Sequence, residues 1–228
     1  MKRKEVPQFI NQRWVPQLFK DLVYEFMTWF VGKIHAAKLF MPILNEALTH
    51  THSNAIVAID HGIGAGFETV EPYLEDDISV EQISIDQFKA EQSALYVSVN
   101  GFHQLSPDRA AHLLQEVAHR KHPIAILEGN NDSLWQVVGM LVFVPLTVIL
   151  TAPFVKPFRV TRLLFTYVIP ILPLLTLMDG FLALFKLYNP KDLQELYQSL
   201  EVPNYRWRSG KRENGRGGKI MYLLGWPE

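Results

Sequence analysis

The 228-residue chain contains no cysteine, and one long stretch of it carries almost no charge. The lack of thiols excludes a disulfide framework, thiol catalysis and thiolate metal sites, and it fits a reducing compartment. The chain also lacks a sizeable net charge, since 22 Lys and Arg residues stand against 23 Asp and Glu residues. A general electrostatic attraction to nucleic acid is therefore not expected.

The N-terminus lacks the apolar run that a secretory signal needs. Residues 1–4 are basic, but Gln8, Asn11 and Gln12 follow where that run would have to be. With 48% hydrophobic and only 20% charged residues, the chain is also too apolar to be intrinsically disordered. We therefore expect a folded protein on the cytoplasmic side.

Residues 133–188 form an apolar block. Only five of its 56 positions carry a charge, and residues 133–155 are 23 consecutive positions without one, long enough to span a bilayer. Two features argue against a simple spanning hairpin. The connection at 156–162 carries Lys156, Arg159 and Arg162, which the positive-inside tendency would keep on the cytoplasmic side. The block also contains five prolines between 145 and 173, which interrupt long helices.

Three arrangements of the apolar block stay open. A hairpin that lies in the membrane interface, with its basic residues at the lipid headgroups, satisfies both the charge and the proline pattern and is preferred. A buried lid in a soluble protein comes second, and a full span third. We thus expect the protein at the cytoplasmic face of a membrane, with a soluble cytoplasmic protein as the alternative.

The rest of the chain alternates between predicted strands and helices. The apolar segment at 55–59 predicts a strand buried on both faces, and the segments at 94–99 and 123–127 predict two further strands. Weaker alternation at 78–85 indicates another short one. The other predicted elements are helices at 16–48 (divided at Pro42), 106–120 and 189–200, and an antiparallel hairpin formed by 205–208 and 220–224. This alternation indicates an α/β fold with a parallel sheet.

A glycine-rich turn follows the first strand, in the order Asp60, Gly62, Gly64 and Gly66. Glycines let the backbone turn sharply and approach a ligand, and a helix predicted from the turn to Val70 would present free N–H groups to an anion. The spacing differs from both the dinucleotide fingerprint and the P-loop, and it fits an S-adenosylmethionine loop better. A turn that binds nothing is the alternative.

The chain resembles class I S-adenosylmethionine-dependent methyltransferases, in particular a subgroup with a long apolar insertion after the fifth strand position. The segments that carry the resemblance are Trp14–Pro16, Asp60–Gly66, Phe102–Pro107, Ile126–Gly129, Pro153–Phe158, Arg162–Tyr167 with Asp179-Gly180, and Tyr222–Pro227. The resemblance implies a Rossmann-like methyltransferase fold with an apolar helical insertion and a C-terminal β-hairpin. It implies one domain over 1–228, made of helices at 1–50, a cofactor-binding core at 55–132, the membrane-associating block at 133–188, and the helix and hairpin at 189–228.

The resemblance also assigns the cofactor contacts. Asp60, Gly62, Gly64 and Gly66 would contact the methionine end of S-adenosylmethionine, and Asp86 would lie near its adenine. Only about 26 residues separate Asp60 from Asp86, too few for the usual second and third strands with their helices. One βα unit can therefore be missing, and with it the carboxylate that normally holds the ribose; Asp76 or Asp77 could substitute, or could belong to a solvated acidic loop.

His103 is the candidate catalytic base, because it follows a strand at the carboxyl edge where α/β proteins bind ligands. A loop histidine bonded to the backbone is the alternative. Glu128 also ends a strand and could orient substrate, although capping a neighbouring helix fits it better. No metal site is expected, since the pairs His50/His52 and His119/His122 lack further ligands.

The basic C-terminal hairpin allows three interpretations, namely solvated charge, an anionic membrane surface or a nucleic-acid patch, and the first is the default. Two functions from different classes follow from the whole pattern. The first is a membrane-associated methyltransferase acting on a lipophilic small molecule. The second is a non-catalytic protein of the same fold that acts as a membrane-bound binding or scaffold module. The sequence does not fix the oligomeric state.

Overall fold

The computed structural model describes residues 3–62, 65–129, 134–213 and 219–228. These residues contain six strands and seven α-helices. The strands are β1 Ala55–Asp60, β2 Ser79–Ser84, β3 Leu95–Val99, β4 Ile124–Glu128, β5 Tyr205–Glu213 and β6 Lys219–Pro227. The helices are α1 Gln17–Lys33, α2 Met41–Thr51, α3 Pro107–His119, α4 Leu134–Thr151, α5 Val160–Leu163, α6 Ile171–Lys186 and α7 Pro190–Gln198. Every predicted strand overlaps an observed one, although β5 ends five residues and β6 three residues beyond the predicted ends.

The six strands form one sheet in the order β2-β1-β3-β4-β6-β5. The first four strands are parallel, whereas β6 is antiparallel to both of its neighbours. The chain leaves β1 toward β2 on one side and returns to β3 on the other, so the strand order reverses between β1 and β3. The fold is thus mixed α/β with a mostly parallel sheet, compatible with a Rossmann-like fold, and ligands of such sheets bind at this switch point.

Both faces of the sheet are covered by helices. On one face, Ile43 and Leu44 of α2 belong to the same buried cluster as Ile56 of β1. On the other face, Leu113 of α3 belongs to a cluster with Val57, the next residue of β1. Successive side chains of a strand point to opposite faces, which explains why β1 is apolar throughout rather than alternating.

The expectation of a helix after the glycine turn is wrong. Two short 3-10 helices, Phe67–Thr69 and Glu71–Tyr73, stand in its place, and Pro72 lies in the second of them. The chain then enters β2, which pairs directly with β1 in parallel register, with Asp60 opposite Ser84. The described residues between β1 and β2 thus hold no α-helix, so the N–H groups of a long helix do not point at the turn.

The N-terminal helical region divides slightly earlier than expected. Helix α1 ends at Lys33, His35 adopts a left-handed conformation, and Pro42 lies in the first turn of α2. Proline is favoured in the first turn because its missing N–H would have no intrahelical partner there. Pro42 therefore starts the second helix rather than interrupting one long helix.

The apolar block folds into two helical arms, α4 on one side and α5 to α6 on the other. Pro145 lies inside α4, so this proline does not end a helix as expected. Leu22, Val23 and Phe26 of α1 form a third buried cluster with Val148 of α4 and Leu172 of α6. This cluster ties the block to the N-terminal helix.

The two arginines of the connection at 156–162 turn inward instead of projecting as a basic tip. Glu25 of α1 accepts hydrogen bonds from Arg159 at 2.6 Å and from Arg162 at 2.5 Å. Arg162 is fully buried and also donates to the carbonyl oxygens of Val155 and Pro157. The expectation that these arginines extend toward lipid headgroups is thus wrong for Arg162. Of the other two cations, Lys156 is exposed and Arg159 is half-buried.

The apolar block carries many exposed apolar side chains. Among the described residues, every large hydrophobic side chain with high exposure except Trp14 and Ile34 lies within 138–178. We call this set the apolar surface; its members are Val138, Leu141, Val142, Phe143, Leu146, Ile149, Leu150, Phe154, Phe158, Val160, Leu164, Tyr167, Val168, Ile169, Leu174 and Met178. Across the described residues, no single helix is long and apolar enough to cross a membrane; residues 160–168 and 171–186 reach that length only as a pair bent by 82°.

Candidate functional site

A cavity of about 240 Å³ lies at the carboxyl edge of the sheet, beside the switch point. The loops after β1, β3 and β4 contribute one part of its wall, and α1, the connection between α1 and α2, α6, β6 and the N-terminal segment contribute the rest. The lining residues are Gln8, Ile10, Val23, Met27, Val31, Ala36, Leu39, Phe40, Ala65, Asn100, His103, Gln104, Gly129, Thr176, Asp179, Gly180, Ala183 and Ile220. The apolar block therefore closes a cavity of the α/β core with one side and exposes the apolar surface with the other.

His103 lies in the cavity wall and is held by Glu128. Its backbone N–H donates to Oε1 of Glu128 at 3.1 Å, and its ring Nδ1 lies 3.0 Å from Oε2. Both side chains are almost fully buried, with 3% and 6% exposure. Since the carboxylate accepts both bonds, it caps the short 3-10 helix Phe102–Gln104, which is the role that the sequence favours for Glu128, and it also orients the imidazole of His103.

Gln104 connects His103 to two other parts of the chain, the N-terminal segment and α6. Its Nε2 lies 2.9 Å from Nε2 of His103 and donates to Oε1 of Gln8 at 2.5 Å. Its Oε1 accepts from Nδ2 of Asn11 at 2.6 Å and from Nζ of Lys186, on α6, at 3.0 Å. The loop after β3, the N-terminal segment and the apolar block thus meet at one amide.

Asp179 of α6 fixes the N-terminal segment over the cavity. Its carboxylate accepts the backbone N–H groups of Phe9 at 2.5 Å and Ile10 at 2.8 Å, and Gln8 donates to its backbone carbonyl at 3.0 Å. Burial raises the pKa of Asp179, while the two backbone hydrogen bonds act in the opposite direction. This aspartate satisfies the first N–H groups of the 3-10 helix Phe9–Asn11 and takes up both of its own oxygens in doing so.

The described residues of the glycine turn lie beside this cavity, and of these Ala65 lines it. Asp60 is exposed at the end of β1, and its carboxylate accepts the N–H of Gly62 at 2.7 Å. Gly62 has a left-handed φ of +68°, and a Cβ there would meet no atom within 4 Å. The N–H of Gly66 donates to Glu68 at 3.0 Å, so this amide already has a carboxylate partner.

Gly64, the remaining one of the four expected cofactor contacts in the turn, lies outside the described residues. Asp86 lies in the 3-10 helix Ile85–Gln87 directly after β2, so it shares the carboxyl edge of the sheet with Asp60. It is exposed and forms an ion pair with Arg109 at 3.1 Å. Asp76 and Asp77 are exposed in the turn before β2, which agrees with the solvated-loop interpretation.

His61 lies between the two loops of the switch point. Its Nε2 is 2.9 Å from the hydroxyl of buried Ser98, whereas its buried Nδ1 has no hydrogen-bond partner. A Cβ on Gly101 would approach His61 Cδ2 to 2.1 Å, so only glycine fits opposite the ring. Burial lowers the pKa of His61 to about 4, although the nearby carboxylates of Glu128 and Asp60 act to raise it. The ring is therefore neutral at physiological pH.

The C-terminal hairpin uses several of its cations within the protein. Arg208 and Arg212 both pair with Glu46 of α2, and Arg206 pairs with Glu228. Arg208 also lies over the rings of Tyr222 and Trp226. These contacts favour the interpretation of the hairpin charges as surface ion pairs over a nucleic-acid patch.

Sequence reasoning placed His103 at the correct edge but missed the residues that surround it. The sequence pattern assigns no role to Gln8, Gln104 or Lys186. All three belong to the hydrogen-bond network of the site. One signal could have indicated Lys186 and Asp179, because they are two of the five charges in an otherwise apolar block. Charged groups in such surroundings are expensive to bury and are kept where they bind something.

Neither a scan against models of known protein families nor a search of curated proteins finds a match to this chain. A function must therefore be argued from the site itself.

Proposed function

We propose that the protein is a methyltransferase at the cytoplasmic face of a membrane, which uses S-adenosylmethionine to methylate a lipophilic small molecule. The observation that carries this proposal is the cavity, which joins His103 at the carboxyl edge of the sheet to the inner side of the apolar block. Ligands of open α/β sheets bind at this edge, and mostly apolar walls suit a lipophilic molecule.

The turn after β1 supports the methionine end of the cofactor better than the nucleoside end. The open space around Gly62 and the exposed carboxylate of Asp60 leave room for a ligand to approach the backbone. Asp60, Gly62, Gly64 and Gly66 would hold the methionine end. At the nucleoside end, Asp86 is the expected contact, but it is exposed and already paired with Arg109. We therefore expect weak cofactor binding.

When bound, the cofactor supplies a methyl group on a positively charged sulfur. The chain's own contribution is to orient the acceptor and, where the acceptor must lose a proton, to take that proton up at His103. Glu128 holds the ring of His103 from the Nδ1 side, which leaves Nε2 as the nitrogen that can accept the proton. The apolar side chains that α1 contributes to the cavity, Val23, Met27 and Val31, limit the access of water to this position.

The apolar surface supports the membrane part of the proposal. Contiguous exposed apolar areas on soluble proteins rarely exceed a few hundred Å², and larger ones mark interaction surfaces. Here 16 large apolar side chains are exposed on two helical arms and their connections. A lipid surface satisfies such a set without needing a partner of complementary shape. A bilayer would also be the source of a lipophilic substrate.

Calorimetry with S-adenosylmethionine tests the enzyme proposal. We expect saturable binding to the full chain, abolished by Gly62→Arg, because a side chain at this left-handed position strains the turn and fills the open space beside it. Gly32→Arg is the matched control, since Gly32 is an exposed helical position with equally open space and ordinary backbone geometry. No binding at millimolar cofactor would contradict the proposal.

Flotation with liposomes tests the membrane part. We expect the protein to float with the vesicles, and the double change Val142→Glu with Phe143→Glu to reduce binding by at least about tenfold, because it removes roughly 3 kcal/mol of apolar burial. Ile34→Glu, which places the same charge on an exposed apolar residue outside the apolar surface, should leave binding unchanged. Equal flotation of all variants would contradict the role of this surface.

A non-catalytic binding or scaffold protein is the second candidate. It is favoured by Glu68, whose carboxylate binds the N–H of Gly66 and the hydroxyl of Thr28 and so places negative charge where the cofactor carboxylate would lie. On this candidate the protein floats with liposomes and binds a lipophilic molecule but gives no heat with S-adenosylmethionine. The calorimetric experiment therefore separates the two functions.

A further inference from the structure

The polar groups of the cavity specify the chemistry of its ligand more narrowly than the apolar walls do. Within the described lining, Asp179 is the only carboxylate and no Lys or Arg is present. Both oxygens of Asp179 accept backbone N–H groups. The lining therefore offers no unpaired charge to an ammonium or a carboxylate ligand, and a charged group would lose its hydration there without compensation.

The neighbouring amide of Asn100 is bound within the protein at both of its polar atoms. Its Nδ2 donates to the carbonyl of Ala65 at 2.7 Å, and its Oδ1 accepts from the N–H of Gly129 at 2.9 Å. Gln8 is used in the same way, since it donates to the carbonyl of Asp179 and accepts from Gln104. At the contact between Gln104 and His103, by contrast, an amide donor faces a ring nitrogen, so a polar group that both accepts and donates can be inserted there.

The proton positions at that contact follow from Lys186. An ammonium can only donate, so the atom of Gln104 that lies 3.0 Å from Lys186 must be the carbonyl oxygen. The amide NH2 of Gln104 therefore points to His103, and Nε2 of that ring must be the acceptor. Glu128 independently requires a proton on Nδ1. Lys186 and Glu128, on opposite sides of the ring, thus select the same tautomer.

We infer that the cavity takes an uncharged, largely apolar molecule through one hydroxyl group, which inserts between the Gln104 amide and Nε2 of His103. The hydroxyl oxygen accepts from the amide, and the hydroxyl hydrogen is donated to Nε2. A hydroxyl is both donor and acceptor, so every group in the chain of hydrogen bonds stays satisfied after insertion. An ether or carboxylate cannot donate to Nε2, and an ammonium cannot accept from the amide.

This inference rests on the proposed function in taking the cavity as the substrate site, and it names the hydroxyl oxygen as the acceptor of the methyl group. The oxygen–methyl bond would form as the methyl–sulfur bond of the cofactor breaks, and the hydroxyl proton would pass to Nε2 of His103. It makes His103 the residue that touches substrate, and it makes Glu128 and Lys186 positioning residues that act through His103 and Gln104. Gln104 moves aside by the width of one hydroxyl group, together with the side chains of the N-terminal segment that hold it.

The first test is the protonation of His103 in the full chain, measured in lipid nanodiscs by ¹⁵N NMR of labelled histidine. We expect a proton on Nδ1 and none on Nε2. Gln104→Glu should place a proton on both nitrogens, because a carboxylate at this position can only accept. Gln115→Glu is the matched control, since Gln115 lies beside His119 on the exposed side of α3, with 3.3 Å between their Nε2 atoms. A proton on Nε2 of His103 in the unchanged protein would overturn the inference.

The second test compares three probes of similar size, namely para-pentylphenol, its methyl ether para-pentylanisole, and para-pentylbenzoate. Free concentrations are measured by dialysis, so that partition into lipid does not distort the comparison. We expect the phenol to bind at least about tenfold more tightly than the ether or the benzoate and to shift the His103 signals. Gln104→Glu should remove this preference, whereas Gln115→Glu should keep it.

Equal binding of phenol and ether, tighter binding of the benzoate, or no binding of the phenol would each overturn the inference. None of these measurements contains S-adenosylmethionine. A protein that passes them but gives no heat with the cofactor keeps its hydroxyl site and loses the methyltransferase assignment, so the two failures are distinguishable.

Discussion

The loops after β1 and β3 flank the same switch point, yet they use their polar groups in opposite ways. After β1, Asp60 is exposed and the Gly66 amide is bound by a carboxylate of its own loop. After β3, His103 is buried and is fixed through Glu128, with Gln104 linking it to two distant parts of the chain. The β3 loop is thus organised around one acceptor nitrogen, Nε2 of His103. The β1 loop instead presents glycine backbone that a ligand can approach.

This difference indicates which of the two loops is preorganised for a ligand and which is not. A buried, fully hydrogen-bonded cluster holds its geometry before a ligand arrives, which favours specific recognition. An exposed turn whose amide is already occupied must give up that contact to bind a cofactor. The substrate side is therefore expected to be more selective than the cofactor side.

The largest difference between the two loops is expected when the carboxylate that binds each of them is removed, namely Glu128 at the end of β4 for the β3 loop and Glu68 for the β1 loop. Glu128→Ala leaves the N–H and Nδ1–H of His103 buried without an acceptor, so we expect a loss of about 4 kcal/mol in the free energy of unfolding. Glu68→Ala in the β1 loop should cost about 1 kcal/mol or less, because the loop is closer to solvent. Urea denaturation measures both, and equal losses would contradict the distinction between the loops.

The pH dependence of stability should show a smaller effect, through His61. Its folded pKa of about 4 lies below the ordinary value of 6.5, so between these values the unfolded chain takes up a proton that the folded chain does not. Stability from this group is complete above pH 6.5 and falls as the pH drops toward 4, by about 3 kcal/mol in all. His61→Gln should remove that part of the pH dependence; an unchanged profile would contradict a buried neutral ring.

The same Glu68→Ala change should increase the affinity of the β1 loop for the cofactor. It frees the Gly66 amide and removes a negative charge from the turn, so we expect S-adenosylmethionine to bind several-fold more tightly. Glu75→Ala is the control, because it removes an exposed acid outside the turn. Weaker binding of the cofactor to Glu68→Ala would mean that Glu68 serves as a ligand rather than as a competitor.

The smallest effect is expected at the edge of the cofactor site. Arg109→Ala releases Asp86 from its ion pair, and exposed pairs of this kind contribute little. We expect a change of about twofold in cofactor affinity and no measurable change in stability. Asp86→Asn should weaken binding in the same calorimetric titration; if it does not, Asp86 does not contact the nucleoside.

The strands and the long helices could be predicted from the sequence because local patterns determine them. The apolar run of β1 and the cap residue Ser106 of α3 are visible along the chain, and the helix expected from residue 189 is capped by Asn189. The helix after the glycine turn could not be excluded in this way. With β2 pairing directly beside β1, only 18 residues link the two strands, and they turn by short 3-10 helices.

The surroundings of His103 could not be predicted, because they come from contacts between distant residues. Asn11 is 93 positions from Gln104, and Lys186 is 82 positions away from it. Nor does composition show that Arg162 turns inward to Glu25, which is 137 positions away. Such pairings depend on the tertiary arrangement, whereas the sequence pattern reports only local preference.

The most direct test of the account is a titration of the full chain in nanodiscs with S-adenosylmethionine, followed through the backbone amide signals of both loops. We predict that the signals of Gly62 and Gly66 shift in a saturable way, while the ring signals of His103 stay in place until a phenol is added. Unchanged Gly62 and Gly66 signals at millimolar cofactor would contradict the assignment of the β1 loop as a cofactor site.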